Sequence, residues 1–317
     1  MKKLSLLLAA ALIFAMFTSC STNETNKPDV NTPETNKPDV DTPETGEPTD
    51  IIGNFNIEDF LKIDGSTVTK PLLVAIAKKL TNCTESDIEQ NVKHNMTSYA
   101  YANLIEKTTD VIFVTGPSEE ELNNAKASGV EFEIIPIVND AFVFIVNKEN
   151  PVNNLSAAQI IDIYSGKITN WKEVGGSDLE IIPYQREKNS GSQTGMVEHV
   201  MKDVPLMDAP ELFVHSMEGL VKQIADYDNS IQALGYTYYY FANLMYVKES
   251  VKFIGVDGVI PNNENIMNNS YPFVTPYYAV IRKDEPENSF ARNLIKYILS
   301  GEGQEIAAES GYVKLKS

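Results

Sequence analysis

The sequence predicts an α/β fold in two lobes, and three observations carry that expectation. From about Ile51 onwards, short apolar runs alternate with helical patterns, the signature of strands interleaved with helices. About 265 residues follow that point, long for one α/β layer set and comfortable for two lobes. Only two cysteines, Cys20 and Cys83, occur in 317 residues, so stability must come from a buried core rather than from disulfides.

The elements follow in chain order. MKKLSLLLAAALIFAMFTSC (1–20) opens with two lysines, continues with the apolar run Leu4 to Phe17, and closes on small residues. That order reads as a secretory signal, because the run is too short to span a bilayer comfortably. FTSC resembles the bacterial lipobox, although Phe17 stands where leucine is usual. The resemblance implies that Cys20 becomes a lipidated N-terminus bearing palmitate-type acyl chains. Residues 21–50 carry a decapeptide repeat, NKPDVNTPET (26–35) and NKPDVDTPET (36–45), almost free of apolar side chains. Such a segment cannot bury enough surface to offset its ordering entropy, so it reads as a disordered tether.

Beyond the tether, PLLVAIAKKL (71–80), SEEELNNAKASG (118–129) and LSAAQIIDIYSG (155–166) read as helices. Ser118 and Glu121 form a capping box, and Gly129 and Gly166 are natural stops. VIFVTG (111–116), FEIIPIV (132–138) and AFVFIVN (141–147) read as buried strands.

Formal net charge is −18, and no basic stripe occurs. Nucleic acid is therefore not an expected partner, and any anion must be bound by local donors against the field of the whole molecule. Such donors gather in YQREKNSGSQTG (184–195), where Ser190, Gly191, Ser192 and Thr194 precede an apolar run starting a helix near Gln193. Free N–H groups and the helix dipole favour negative charge there, and Arg186 can return to offer a bidentate fork. One terminus is not enough. A dipole contributes about 0.3–1 kcal/mol, whereas micromolar binding needs roughly 8 kcal/mol. Two further helix starts offer similar groups: IDGSTVTKPLLVAIAKKL (63–80), with Pro71 in the first turn, and HNMTSYAYANLIEK (94–107), with Thr97 and Ser98.

Enzymatic readings find little support. GSQTG (191–195) lacks the central serine of a nucleophile elbow, and neither G-x-x-x-x-G-K-[ST] nor G-x-G-x-x-G appears. His94, His199 and His215 are scattered, with no zinc spacing. No catalytic residue, metal or cofactor is expected.

Three motifs are specific enough to resemble a family: R-x-x-x-S-G-S (Arg186, Ser190, Gly191, Ser192), DGST (64–67) and TSYAYANLI (97–105). YSGKITNWKEVGG (164–176), ALGYTYYYF (233–241), DGVIPNNENI (257–266) and SGEGQEIAAESGYVKL (300–315) extend the likeness from Phe60 to Leu315. The whole is similar to the phosphate-binding proteins of bacterial ABC importers, in the type 2 periplasmic-binding-protein class. That resemblance implies mixed sheets in two lobes, about 51–139 plus 272–317 and about 140–271, with a ligand cleft between them. It implies an extracytoplasmic monomer that captures inorganic phosphate or a similar oxyanion and docks on an ABC permease, anchored in the bilayer through Cys20. Phosphate contacts carried over by the resemblance are Thr67, Val68, Ser98, Arg186, Ser190, Gly191 and Ser192, with Ser66, Thr97 and Thr115 as alternates. One departure matters. Thr115 stands where the family carries an aspartate that accepts the phosphate's own proton, which leaves phosphate and sulfate less clearly separated. Trp171 and the Tyr238–Tyr240 run read as packing. A surface sensor or adhesin using the same fold without transport is the alternative function.

Overall fold

The longest apolar run sets the architecture. In the computed structural model, which describes residues 55–209, 212–227 and 229–315, FEIIPIV and AFVFIVN join into one sixteen-residue strand, Phe132–Asn147. The sequence suggests two strands because Asn139 and Asp140 look like a break. Asp140 is instead absorbed: its buried carboxylate accepts from Ala141 N at 2.8 Å, from Tyr240 N at 3.1 Å, and from the Tyr277 hydroxyl. At a rise of about 3.3 Å per residue, a strand of this length reaches through both halves of the sheet.

In chain order the strands are β1 (Ile63–Gly65), β2 (Val111–Val114), β3 (Phe132–Asn147), β4 (Asn154–Leu155), β5 (Ile182–Pro183), β6 (Gln185–Arg186), β7 (Phe213–Val214), β8 (Ala233–Tyr238), β9 (Val251–Val256) and β10 (Val274–Arg282). The α-helices are α1 (Lys70–Thr81), α2 (Glu85–Asn91), α3 (Thr97–Ile105), α4 (Glu119–Ala127), α5 (Ala157–Tyr164), α6 (Gly191–Gly195), α7 (Met217–Asp226), α8 (Asn263–Met267), α9 (Phe290–Leu299) and α10 (Gly301–Glu309). Two π-helical turns, Met196–Met201 and Phe241–Met245, follow α6 and β8.

Strand pairing divides at the middle of β3. Its first part, Phe132–Ala141, pairs antiparallel with β10, which pairs with β2, and β2 runs parallel to β1. From Phe142 onwards β3 turns to new partners, β8 and β9, with β5 parallel to β8 and β4 parallel to β9. The fold is thus two-lobed, one mixed sheet in each half, with β3 and the start of β10 passing between them. Residues 141–147 are buried throughout, as expected of a strand covered on both faces. One hydrophobic cluster runs from Phe60 and Leu72 through Phe144 to Ile298, and a smaller one, Tyr101, Leu104, Ile112 and Val280 among it, seats α3.

Local expectations meet the structure with small corrections. Ser118 and Glu121 form their capping box on α4, and Gly129 and Gly166 follow their helices at positive φ. Helix α5 starts two residues later than expected, because Leu155 is claimed by β4 and pairs with Val256. Strand β2 ends at Val114, leaving Thr115 and Gly116 beyond it. Trp171 is packing, buried with its indole N–H on Gln232 O at 2.8 Å. The leader, Cys20 and the repeat tether lie outside the described residues.

Candidate anion-binding site

Three loops converge, each placed by buried groups behind it. Asp64, fully buried at the end of β1, accepts from Gly65 N at 2.7 Å, Asn95 N at 2.8 Å, Asn95 Nδ2 at 2.8 Å and Asn103 Nδ2 at 2.7 Å. One carboxylate therefore fixes the loop after β1 against the loop before α3 and against α3 itself. The chain enters α3 through Met96 at φ 71° and ψ 163°, a conformation that costs an L-residue on the order of 1–3 kcal/mol. No side chain caps α3, and none caps the turn after Ser66. First-turn amides have no partner within a helix, so these N–H groups are offered outward.

The third loop is braced from the other half of the sheet. Gln193 Oε1 accepts from Arg186 N at 3.0 Å and from the Tyr236 hydroxyl, and Ser190 Oγ caps α6 by accepting from Gln193 N at 3.2 Å. Helix α6 begins at Gly191, two residues before the expected start, because Ser190 is its cap. The guanidinium of Arg186 is clamped: Nε donates to Val214 O at 2.8 Å, Nη2 to His215 O at 3.0 Å and Nη1 reaches Ser192 Oγ at 3.5 Å.

All the expected contact residues line one cavity of about 440 Å³: Ser66, Thr67, Val68, Thr97, Ser98, Thr115, Arg186, Ser190, Gly191 and Ser192. The third loop touches the other two. A Cβ added to Gly191 would lie 2.5 Å from Thr115 Oγ1 and 2.8 Å from Thr97 Oγ1, so only glycine fits there.

Charge makes the cavity specific. Arg186 is 5% exposed, and among the described residues no carboxylate pairs with it. Burial pulls its pKa below the ordinary arginine value, yet the group stays cationic. A buried cation without a counter-ion is costly and calls for an anion. The other basic side chains on the lining, Lys188 and His215, are exposed and lie against Glu120 and Glu187. Tyr238 donates to Gly191 O at 3.0 Å. Tyr238 also lies beside the buried Thr115 hydroxyl.

Several cavity residues escaped the sequence reading. Tyr238, read there as packing, is buried among aromatic rings and also lines the cavity. Met96, Tyr99, Phe241, Met245 and Tyr246 line it too, and Asp64 works behind it. Asp64 lies in the DGST motif, but its partners Asn95 and Asn103 are too far along the chain for its role to be read from that motif. No group of three or more His, Cys, Asp or Glu side chains among the described residues is placed to hold a metal.

Comparison with known proteins finds relatives named for phosphate binding. The chain is 26% identical over 257 residues to the phosphate-binding protein PstS of Bacillus subtilis, covering 80% of each. To the PstS of Borreliella burgdorferi it is 23% identical over 274 residues, covering 83% of this chain and 93% of the relative. A solved structure from Clostridium perfringens, assigned as a phosphate ABC transporter substrate-binding protein with bound phosphate, superposes with a TM-score of 0.64. It is 30% identical and is matched over 80% of this chain and 98% of its own. An ABC-type phosphate transport receptor from Vibrio cholerae gives a TM-score of 0.59 at 25% identity, over 80% of this chain and 99% of the receptor. The family model for a PBP superfamily domain matches residues 31–302, most of the chain, and the protein belongs to that superfamily.

Proposed function

We propose that this protein captures phosphate between its two lobes and delivers it to an ABC importer in the membrane. The observation that carries the reading is Arg186, buried, clamped and without a counter-ion, at the meeting point of three loops rich in hydroxyls and free amides. Thr67 and Ser98 offer hydroxyls, Val68 and Ser98 offer backbone N–H groups, Arg186 offers its remaining N–H pair, and Ser190, Gly191 and Ser192 complete the shell. The relatives named for phosphate binding support the same ligand.

The reading assigns residues 51–139 plus 272–317 to one lobe and 140–271 to the other, dividing where β3 changes partners. It places the domain outside the cytoplasm, as a monomer, held by lipidated Cys20 through the tether of residues 21–50. No helix among the described residues is long and apolar enough to cross a membrane. Nothing in the reading calls for catalysis or a cofactor.

Calorimetric titration with orthophosphate and sulfate tests the core of it. Micromolar or tighter orthophosphate binding is expected, and the absence of measurable binding to either ion refutes it. Membrane attachment is checked by fractionating cells that express Cys20→Ser: release is expected, and continued attachment rules out lipidation at that residue.

A further inference from the structure

We propose that Tyr312 is a positioning residue for the anion site: its hydroxyl aims the amides of the loop after β1, and its ring takes its bearing from Tyr240 on the other half of the molecule. This rests on the phosphate reading of the cavity and adds to it two side chains that are not part of the cavity lining.

The first contact lies behind the loop. Tyr312 is buried, and its hydroxyl donates to Val68 O at 2.6 Å. The N–H at the other end of the same peptide unit, that of Thr69, donates to Ser66 O at 3.2 Å. A peptide unit is planar, so holding both its carbonyl and its N–H fixes its orientation. The N–H of Val68 stands one Cα away from that plane, and its direction follows. Thr69 Oγ1 ties the same turn to Phe113 O in β2 at 2.7 Å. Donors held in place bind without a further ordering cost, so freeing this peptide weakens an anion's hold.

The second contact crosses the partner switch in β3. Tyr240 follows β8, whereas Tyr312 follows α10, which packs on α1. Their rings stack with centroids 3.8 Å apart and 9° between planes. Tyr240 is itself held, its N–H donating to Asp140 at 3.1 Å and its hydroxyl to Ser310 O at 2.9 Å. Asn139 N donates to Val313 O at 2.7 Å, so the segment carrying Tyr312 is pinned where β3 changes partners. Gly311 turns that segment at φ 93°, and a Cβ there would lie 2.4 Å from Leu244 Cδ1 in the π-helical turn that follows Tyr240. A rotation of one half about β3 therefore bears on the Tyr312 ring, and the ring passes it to the Val68 carbonyl.

The test is calorimetric titration of the full chain with orthophosphate, repeated on Tyr312→Phe, Tyr240→Phe, Tyr240→Leu and the Tyr312→Phe/Tyr240→Leu double variant, with ligand-free melting of each. Tyr312→Phe keeps the stack and loses only the hydroxyl, and should bind at least fivefold more weakly. Tyr240→Phe keeps the stack and should stay within twofold of the parent, while Tyr240→Leu should lose at least threefold. The double variant should lie within twofold of Tyr312→Phe, because both changes act through one hydroxyl. A lowered melting temperature in Tyr312→Phe with less than a fivefold loss of affinity marks a purely structural tyrosine; it overturns the inference while phosphate capture stands. Additive losses in the double variant, or equal losses in Tyr240→Phe and Tyr240→Leu, overturn the link to Tyr240. Where Tyr240→Leu does not fold, Tyr312→Phe decides the role of the hydroxyl by itself. A parent that does not bind orthophosphate overturns both readings.

Discussion

Replacing Arg186 by methionine isolates the group on which the site depends. A guanidinium has five N–H donors, and three are engaged, by Val214 O, His215 O and Ser192 Oγ. Two remain for an anion. Charge-assisted hydrogen bonds contribute about 1.5–3 kcal/mol each, so the pair is worth about 3–6 kcal/mol. Affinity should fall roughly 10²- to 10⁴-fold. Without ligand the fold should change little: the substitution orphans two carbonyls but removes an uncompensated buried cation. Arg186→Lys keeps charge and loses the fork, and should fall between the two. Calorimetry reads the affinity, and thermal melting with and without phosphate checks it independently. At a ligand concentration about 1,000 times Kd, binding stabilises the native state by about 4.1 kcal/mol. A 100-fold weaker variant under the same conditions gains only about 1.4 kcal/mol, so most of the ligand-induced rise in Tm should vanish. An Arg186→Met protein that keeps phosphate affinity within about threefold of the parent, with the same ligand-induced rise, refutes the reasoning.

Three other perturbations probe the surroundings. Gly191→Ala forces a methyl within 2.5 Å of Thr115 Oγ1 and 2.8 Å of Thr97 Oγ1, so phosphate affinity should drop at least tenfold with little change in ligand-free melting; parental affinity would falsify the close approach. Thr115→Asp places an acceptor in the cavity, and the orthophosphate-to-sulfate affinity ratio should rise at least tenfold. An unaltered ratio would show that Thr115 does not face the ligand. Burial raises Asp140 to about 7, so the native state holds its proton more tightly than the unfolded chain, and stability present below about pH 4 is lost as pH rises through 7. Urea unfolding should show the parent losing roughly 2–3 kcal/mol more than Asp140→Asn between pH 5 and 8, and identical slopes in the two proteins would contradict this.

What the sequence revealed was what short-range chemistry decides. Ser118 with Glu121, and the hydroxyls at residues 66–67, 97–98 and 190–192, sit at helix starts because capping and free amides are governed by neighbours a few residues away. The motif linking Arg186 to Ser190–Ser192 is equally local. Features set by distant partners were hidden. Asn139–Asp140 reads as a break until Tyr240 and Tyr277, about 100 and 137 residues later, supply donors to the carboxylate. Leu155 looks helical until β9 claims it. Asp64 reaches Asn95 and Asn103 across 31 and 39 residues. The apolar wall at Phe241–Tyr246 gave no signal, because an aromatic run after a buried strand is indistinguishable from core until the cavity is formed.

Arg186 also bears on how such a cleft opens and closes. Its loop stands on the β8 side of the β3 partner switch, while the loops at Thr67 and Thr97 stand on the β1–β2 side. The exposed Lys188–Glu120 pair, at 2.7 Å, joins the two sides but lies in solvent, where such pairs contribute little. A ligand must therefore supply the closing force. Moving a two-state equilibrium from 1:99 to 99:1 takes about 5.5 kcal/mol of differential binding. On the proposed reading, the two unspent N–H groups of Arg186, at about 3–6 kcal/mol, would supply between about half and all of that. The same desolvation that lowers the Arg186 pKa penalises closure around an empty cavity, since it buries a cation with nothing to neutralise it. On the proposed reading, one side chain therefore favours the closed form with an anion bound and disfavours it without one.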